Sequence, residues 1–419
     1  MEILHSICCG LDVHAKTVVA CLIIHGKKTT RTFGTMTEDL LGLSDWLLES
    51  GCPIVAMEST GVYWKPIYNV LESVCEVMLV NARHVKQVPG RKTDVRDCEW
   101  IADLLRHGLL KASFIPPAPV RDLRELTRYR STMVRERARI ANRAQKLAES
   151  GNIKLSQVLS DALGVSGRRM LRALAQGERD LDRLVSLADR KLEPKFELLR
   201  KALDGRLTEA QRYVLGELLD RYDETVSAIE RVTDRIRKEV ESEQQDPFLP
   251  EAVRLLDEIT GVGPEVAHVI VAEIGTDMSR YPSPRHLASW AGVCPGNNQS
   301  AGKRRSGKTT KGNMALKTAL TQAAWGASLK KGSYLALTYA RLKPRLGRKR
   351  AIIAIAHKIL VIVYQMLSKR EGYREEMFPA IFKLSIEKER ARLITRLKNL
   401  GVSIEITEIT ELPVTSQAA

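Results

Sequence analysis

The sequence predicts an α/β amino-terminal domain followed by an all-α remainder, and three observations support this fold class. Short apolar runs of strand length alternate with segments of helical spacing between residues 7 and 106. A proline-rich stretch at 115–119 then forms a stiff linker. Beyond the linker, apolar residues recur almost entirely at helical spacing. We therefore predict domains at 1–115, 116–250 and 251–370, with a helical tail at 371–419.

The first domain is predicted to contain a mixed sheet flanked by helices, because three consecutive strands precede alternating helices and strands. The expected strands are 7–13, 17–24, 29–33, 54–57 and 74–80. The expected helices are 37–48, 62–71 and 95–106. Thr37 is the expected N-cap of the first helix.

The middle domain is predicted to be a helical coiled coil. Leu126, Met133, Ile140 and Leu147 recur every seven residues. A second set of apolar residues, from Leu215 to Val240, follows a strict 4-3 spacing, which is typical of a coiled-coil seam. This seam implies either an antiparallel hairpin with the first helix or a partner chain.

Positive charge is concentrated in the carboxy-terminal part of the chain. The formal net charge is +16, from 66 Lys and Arg against 50 Asp and Glu. Residues 1–115 are nearly neutral, whereas residues 278–370 contain 19 Lys or Arg and no acid. The helix after the linker is also rich in arginine, with Arg128, Arg135 and Arg139 among its basic residues. Such an excess of positive charge indicates a polyanionic partner, most often nucleic acid. Binding to nucleic acid should weaken as the salt concentration rises.

Several classes of protein are excluded by composition. No run of about 18 apolar residues is present, and the best candidate, 351–367, contains His357 and Lys358 and is expected to be a buried helix. Seven cysteines occur without a CxxC pair, and no secretory signal is evident. We therefore expect a protein of a reducing, cytosolic setting that is not associated with a membrane.

Four carboxylates of the first domain form a candidate metal site: Asp12, Glu58, Asp94 and Asp97. Asp12 is the lone acid in an apolar strand, where an unpaired carboxylate is costly. Glu58 ends a buried strand, and Asp94 and Asp97 share a helical face. Carboxylates of this kind bind Mg²⁺, which organises phosphodiester chemistry. For Asp94 the alternative is helix capping, and for Asp97 a favourable interaction with the helix dipole.

The basic loop at 297–313 forms a second candidate site, in which Ser300 could attack a DNA phosphate. Its basic residues are Lys303, Arg304, Arg305, Lys308 and Lys311. The loop matches the phosphate-loop pattern at 302–309, but no buried strand precedes it, so we reject ATP binding. The alternative is a solvated Gly/Ser loop.

A glycine-rich turn at 259–267 is similar to a helix-hairpin-helix. In that motif the backbone N–H groups around Gly261 and Gly263 would contact a DNA phosphate. The alternative is a plain tight turn between two helices.

Three motifs in the first domain resemble the DEDD transposases of bacterial insertion sequences, insertion-sequence family one-hundred-and-ten. They are Gly10-Leu-Asp-Val-His14, Met57-Glu-Ser-Thr-Gly-Val-Tyr-Trp64 and Lys92-Thr-Asp-Val-Arg-Asp97. The carboxy-terminal segments that carry the resemblance are Gly261 to Pro264, Leu287 to Val293, Gln299 to Lys303 and Lys311 to Asn313.

This resemblance implies a RuvC-like, RNase H-type first domain and a mainly helical carboxy-terminal transposase domain. Asp12, Glu58, Asp94 and Asp97 would bind Mg²⁺, and Ser300 would be the nucleophile that becomes joined to a DNA 5′ end. The partners implied are donor and target double-stranded DNA, a structured bridge RNA that guides the enzyme, and further copies of the chain. Dimers would assemble into a tetramer with composite sites, and the basic segments would hold phosphate backbones. The resemblance also implies a bacterial cytoplasmic protein associated with the nucleoid.

The residues and the resemblance are compatible with three functions. The first is an RNA-guided serine transposase or recombinase that moves an insertion sequence. The second is a RuvC-like junction nuclease that uses water as the nucleophile, and the third is a non-enzymatic, basic coiled-coil DNA-binding protein. Ala301 follows Ser300 where the family often has glycine or another small residue, and Ser306 lies nearby, so Ser306 remains an alternative nucleophile.

Overall fold

The chain forms two compact units, Met1–Pro116 and Pro117–Ala419. The computed structural model describes residues 3–59, 61–81, 97–242, 246–296, 298–300, 303–374, 391 and 393–401, and at 298–300 and 303–306 it describes the backbone alone. The second unit includes both the predicted middle domain and the predicted carboxy-terminal domain. Their division at residue 250 stays a prediction.

The first unit contains a mixed five-stranded sheet with helices, as predicted. The strands are β1 (Ile7–Val13), β2 (Thr17–Ile24), β3 (Lys27–Gly34), β4 (Ile54–Glu58) and β5 (Glu76–Val80). Its described helices are α1 (Thr37–Glu49), α2 (Trp64–Leu71) and α3 (Asp97–Arg106). The sheet order is β3-β2-β1-β4-β5. β1, β2 and β3 pair antiparallel, whereas β4 pairs parallel to both β1 and β5.

Several local predictions in this unit were wrong by a residue or two. β5 begins at Glu76 rather than at residue 74, and α2 begins at Trp64 rather than at residue 62. Met36 is the N-cap of α1 and makes no side-chain cap, so Thr37 is the first helical residue. β3 begins at Lys27 rather than at residue 29, because its backbone continues to pair with β2 through polar residues.

Each face of the sheet has its own apolar layer. Alternate residues of β1, among them Cys9 and Leu11, pack with α1 and α2. Cys8 points to the other face, where it packs with α3. Gly10 lies on this α3 face, and a Cβ there would collide with the backbone of Cys98 and Ala102. Glycine at this position therefore lets α3 lie directly against β1.

The second unit is mainly helical. Helices of its first half are α4 (Ala118–Ser150), α5 (Leu155–Val158), α6 (Val165–Ala175), α7 (Leu181–Ser186), α8 (Phe196–Leu203) and α9 (Glu209–Val240). Helices of its second half are α10 (Leu249–Asp257), α11 (Pro264–Ile274), α12 (Pro284–Trp290), α13 (Met314–Leu329), α14 (Tyr334–Leu346) and α15 (Arg348–Lys369). A short hairpin, β6 (Asn298–Ser300) and β7 (Lys303–Ser306), precedes α13. The tail residues 393–399 are helical.

The long helices α4 and α9 pack side by side in antiparallel directions. Arg130 near the start of α4 donates from Nε to Thr233 Oγ1 near the end of α9, at 2.7 Å. At the other end, Gln211 donates to Ser150 at 3.1 Å. The apolar seam of α9 thus has a partner within the same chain, which is the first of the two predicted arrangements.

One hydrophobic core joins α4 and α9 to the carboxy-terminal helices. Leu123 and Ile236 belong to the same buried cluster as residues of α10, α11, α13 and α15. Helix α15 is long and apolar enough to cross a membrane by length and composition. Ten of its residues are nevertheless buried within the protein, as expected for a core helix.

Glu273 of α11 is a fully buried carboxylate, 0% exposed, held by three side chains. Arg128 binds both of its oxygens, with Nε 2.7 Å from Oε1 and Nη2 2.9 Å from Oε2. Arg124 approaches Oε2 to 3.3 Å, and the Asn313 amide donates to the same oxygen at 2.6 Å. Burial lowers the pKa of Arg124, and Glu273 opposes that shift. The cluster ties α4 and α11 to the residue that caps α13.

We expect Glu273→Ala to destabilise the second unit by about 3 kcal/mol, because it leaves the buried Arg124 guanidinium without its counter-charge. Urea unfolding should show this loss. Glu265→Ala on the same helix is the matched control, since Glu265 is 44% exposed and lies 3.9 Å from Arg130. The control substitution should lower the free energy of unfolding by less than about 1 kcal/mol. Equal losses in the two variants would contradict the buried-pair interpretation.

His268 of α11 predicts a pH dependence of stability. Burial lowers its pKa below the ordinary value of 6.5, with Arg237 and Arg130 acting in the same direction and Glu265 against it. The unfolded state therefore binds the proton more readily, so the free energy of unfolding should decrease as pH falls below about 6.5. Urea titrations at pH 7.5 and 5.5 should show a smaller decrease for His268→Gln than for the unaltered protein. An unchanged pH dependence would show that His268 contributes nothing.

Candidate functional site

Asp12 and Glu58 occupy adjacent positions at the carboxyl ends of two neighbouring parallel strands. The β1–β4 register pairs Gly10 with Ala56 and Leu11 with Met57, so the next step brings Asp12 beside Glu58. Successive side chains alternate across a sheet, which places both carboxylates on the face that packs against α3. Asp12 is 26% exposed, and its Oδ2 lies 3.1 Å from Nε2 of His14.

Asp97 is the first residue of α3, and it is exposed. The next residue, Cys98, is buried against the sheet, where burial raises the pKa of its thiol to about 11 and Asp12 adds to that rise. The start of α3 therefore lies near the end of β1, on the face of the sheet that carries Asp12. Asp94 falls outside the described residues. Among the residues that the structure does describe, no three acidic, His or Cys side chains form a group able to hold a metal ion.

The donor set suits a hard divalent cation. Asp12 and Glu58 offer carboxylate oxygens at adjacent strand ends, and Asp97 is an exposed carboxylate at the start of the helix that packs on that face. Mg²⁺ binds through a few carboxylates and retains water and phosphate oxygens in its other positions. Asp12 is partly exposed, so solvent can reach its carboxylate. The residue types are therefore those that Mg²⁺ prefers, while the magnesium site itself stays a prediction. His14 is a neighbour of Asp12 that the sequence reasoning did not assign.

Part of the basic loop has the backbone of a β-hairpin, which the sequence analysis did not predict. β6 and β7 pair antiparallel, with Asn298 opposite Ser306 and Ser300 opposite Lys303. The base is held by a bridge between Pro295 and Thr309. Lys317 of α13 also donates to Thr309 Oγ1 at 2.5 Å. Hydrogen bonds at the base thus fix the hairpin to α13.

Ser300 is the last residue of β6, at the end of the hairpin away from its base. Ser306 lies at the opposite end, as the last residue of β7. The side chains of both serines fall outside the described residues, so the choice between them remains a prediction. No helix begins directly after Thr309, since α13 starts at Met314, which agrees with the rejection of a nucleotide-binding loop.

The predicted nucleic-acid contacts of the hairpin segment are in part exposed. Lys308 and Lys311 follow β7 and are exposed. Lys303, Arg304 and Arg305 lie within β7, and their side chains are not described.

The glycine turn between α10 and α11 has a packing role. A Cβ on Gly261, whose φ is +88°, would collide with the backbone of Ala323 and Ala327 in α13. Gly263 is the N-cap of α11. The close approach to α13 explains Gly261 without any ligand, while a phosphate contact by this turn stays a prediction.

Arg128 is engaged within the protein. Its guanidinium makes the bidentate contact with Glu273 that a phosphate would otherwise require. Arg128 therefore has a role in the packing of α4 on α11, and its predicted contact with nucleic acid stays a prediction. Arg135 and Arg139 lie further along α4 and are exposed, although Arg135 also donates to Ser131 and Thr132 of its own helix.

Sequence reasoning missed Glu273 and its three partners. The sequence does contain a signal, because Glu273 stands between Ala272 and Ile274 at the end of the apolar run that follows Glu265. Such an acid requires a buried counter-charge. The partners could not be named, since Arg124 and Arg128 lie about 150 positions away in the chain.

Two family models match the chain in the order of its two candidate sites. A model described as a transposase, of the DEDD type named for IS110, matches residues 9–151. A second, described as the transposase IS116/IS110/IS902 family, matches residues 253–340. The chain belongs to the IS110 family of transposases.

Relatives of this transposase carry matching descriptions. It is 24% identical over 322 residues to the insertion element IS116 uncharacterized 44.8 kDa protein of Streptomyces clavuligerus, covering 70% of this chain and 78% of that protein. It is also 24% identical over 335 residues to the transposase for insertion sequence element IS1111A of Coxiella burnetii, covering 78% of this chain and 80% of the relative. Both alignments extend across most of each protein.

Proposed function

We propose that this IS110-family transposase cuts and rejoins DNA through a phosphoserine intermediate at Ser300, assisted by a magnesium site at Asp12, Glu58, Asp94 and Asp97. The observation that carries the proposal is that the two family models match separately the segments holding the carboxylates and the serine. The comparisons name transposases, so a junction nuclease that uses water is not favoured.

In the proposed step one phosphodiester bond is exchanged for another, so the free energy of the broken DNA bond is retained in the bond to the protein. Oγ of Ser300 loses its proton and forms a bond to phosphorus, while the bond from phosphorus to the 3′ oxygen breaks and that oxygen takes up a proton. The DNA 5′ end is then held as a phosphoserine. A 3′-hydroxyl of the second DNA restores the serine by the reverse exchange, so no external energy source is needed.

Basic residues around Ser300 would stabilise the charge that develops on the phosphate. Residues 278–370 contain no acid, so no carboxylate of this segment opposes an approaching DNA backbone. Lys308 and Lys311 are exposed beside the hairpin. Fixed cations aimed at a reacting phosphate can lower its barrier by several kcal/mol.

The carboxylates would hold the metal against the DNA. A bound Mg²⁺ would polarise phosphate oxygens and neutralise their charge. Asp12 and Glu58 are suited to this because they share one face at the carboxyl ends of adjacent strands, and Asp97 opens the helix on that face. The same arrangement supports the proposed RuvC-like, RNase H-type assignment of the first unit.

We further propose double-stranded donor and target DNA, a bridge RNA and a dimer that assembles into a tetramer. The carboxylates lie in the first unit and Ser300 lies in the second. Division of the chemistry between two units is compatible with composite sites built from different subunits. Exposed Arg135 and Arg139 on α4 are candidate contacts for the RNA backbone.

The direct test is to trap the intermediate. Transposase would be incubated with guide RNA, end-labelled DNA and Mg²⁺, denatured, and separated on a gel. We expect label to remain with the protein and mass spectrometry to locate the added nucleotide on the peptide containing Ser300. Cleavage that yields only protein-free ends would support water as the nucleophile and overturn the serine mechanism.

A further inference from the structure

A large cleft opens in the second unit between α15 and the base of the hairpin. Its volume is about 1330 Å³. The hairpin side is formed by Gly307, Lys308 and Thr309, and the opposite wall by one face of α15. Small-molecule pockets occupy roughly 300–1,000 Å³, so this cleft is large enough for a segment of a polymer.

The charged residues that line the cleft are all basic. Lys308, Lys349 and Arg350 are exposed at its lining, and Lys358 lies deeper. Lys358 donates to the hydroxyl of Tyr334 at 2.9 Å, which holds its ammonium group in place. No Asp or Glu is among the lining residues. This charge is complementary to a phosphate backbone and to little else of that size.

The wall formed by α15 is also apolar. Ile353, Ala354 and Val361 line the cleft and are only half-buried, whereas ten other residues of α15 are buried in the core. Duplex DNA presents phosphates on its outside and keeps its bases stacked inside. An apolar wall beneath a cationic rim therefore suits the exposed bases of an unpaired strand.

The position of the cleft favours the DNA strand that Ser300 would attack. β7 runs from Lys303, opposite Ser300, to Ser306, and Gly307 and Lys308 of the cleft follow directly. Three residue steps of a strand span about 10 Å, which is about three nucleotide steps of a B-form strand. A strand joined at Ser300 could thus reach the cleft within a few nucleotides.

We propose that this cleft binds an unpaired segment of the DNA strand a few nucleotides from the scissile phosphate. Lys308, Lys349 and Arg350 hold its phosphates, and its bases lie against Ile353, Ala354 and Val361. The proposal rests on the proposed function for the identity of the strand. The test measures DNA binding and not strand exchange. The cleft proposal and the proposed function can therefore fail separately.

The experiment measures affinity by fluorescence polarisation, in the Ser300→Ala background, for three probes of one sequence. The probes are a duplex with five unpaired nucleotides, the fully paired duplex, and the first probe with RNA in the unpaired segment. Lys349→Ala/Arg350→Ala should weaken binding of the first probe at least about tenfold and lower the salt slope by about 2. Lys330→Ala/Lys331→Ala is the matched control, because both lysines are exposed, lie in the acid-free segment and do not line the cleft. It should weaken binding less than about threefold.

A second variant separates the contribution of the apolar wall to DNA binding from the contribution of the basic residues. Ala354→Phe fills the apolar wall without changing a charge, and it should weaken binding of the unpaired probe while leaving the paired duplex unaffected. Thermal unfolding would identify a variant that fails to fold, in which case the double variant decides. Equal losses in the cleft and control variants, equal effects on paired and unpaired DNA, or preference of the cleft for the RNA segment would each overturn the proposal.

Discussion

Replacing Ser300 by alanine is expected to abolish both the covalent protein–DNA adduct and strand exchange. Alanine has no oxygen that can bond to phosphorus, so the intermediate cannot form. Loss of a serine nucleophile lowers turnover by at least about 10⁴-fold in enzymes that depend on one. The measurement is the amount of denaturation-resistant adduct, together with recombinant product scored by sequencing.

Ser306→Ala is the matched control for this prediction. Ser306 lies on the paired strand, at the opposite end of the hairpin from the Ser300–Lys303 pair. We expect its adduct yield to stay within about threefold of the unaltered protein, as for a surface change that removes no reacting group. If Ser306→Ala loses the adduct while Ser300→Ala keeps it, the nucleophile is Ser306 and our assignment is wrong.

Asp12→Ala is expected to eliminate cleavage without eliminating DNA binding. Asp12 is central to the proposed metal site, since it lies in register with Glu58 and on the face of α3. Loss of a carboxylate ligand removes several kcal/mol of transition-state stabilisation, which is about 10³-fold or more in rate. Gel-shift affinity and Mg²⁺-dependent cleavage should be measured on the same preparation.

Asp103→Asn serves as the control for Asp12→Ala. Asp103 is an acid of α3 that pairs with Lys28 at 2.6 Å and is not part of the proposed metal set. Because this pair is about one-third exposed, its loss should cost less than about 1 kcal/mol and leave cleavage intact. Full cleavage by Asp12→Ala would contradict the metal assignment.

The sheet of the first unit could be predicted because its strands are apolar and short. β1, β2 and β4 show that pattern, and their predicted and observed bounds differ by at most one residue. β3 is polar along most of its length, so only its pairing with β2 defines where it starts. The antiparallel pairing of α4 with α9 was one of two alternatives, because a heptad seam does not identify its partner.

The sequence predicts which residues form the candidate site better than it predicts how they are arranged in space. A lone acid in an apolar strand identifies Asp12, but only the sheet register places Glu58 beside it. The hairpin that carries Ser300 was missed because Asn298 to Ser306 has no apolar alternation. The cleft was missed for a different reason: it is formed by α15 and the hairpin base, which are distant in the chain.

The Glu273 cluster has a consequence for how the second unit unfolds. Its carboxylate takes one set of partners from α4 and another from Asn313, on the two sides of residue 250. A fragment beginning at 251 would keep the buried acid and lose both arginines, while a fragment ending at 250 would expose Leu123 and Ile236. Neither piece should melt as an independent domain. Calorimetry of the whole unit should therefore give one cooperative transition, and limited proteolysis near residue 250 should release no stable half.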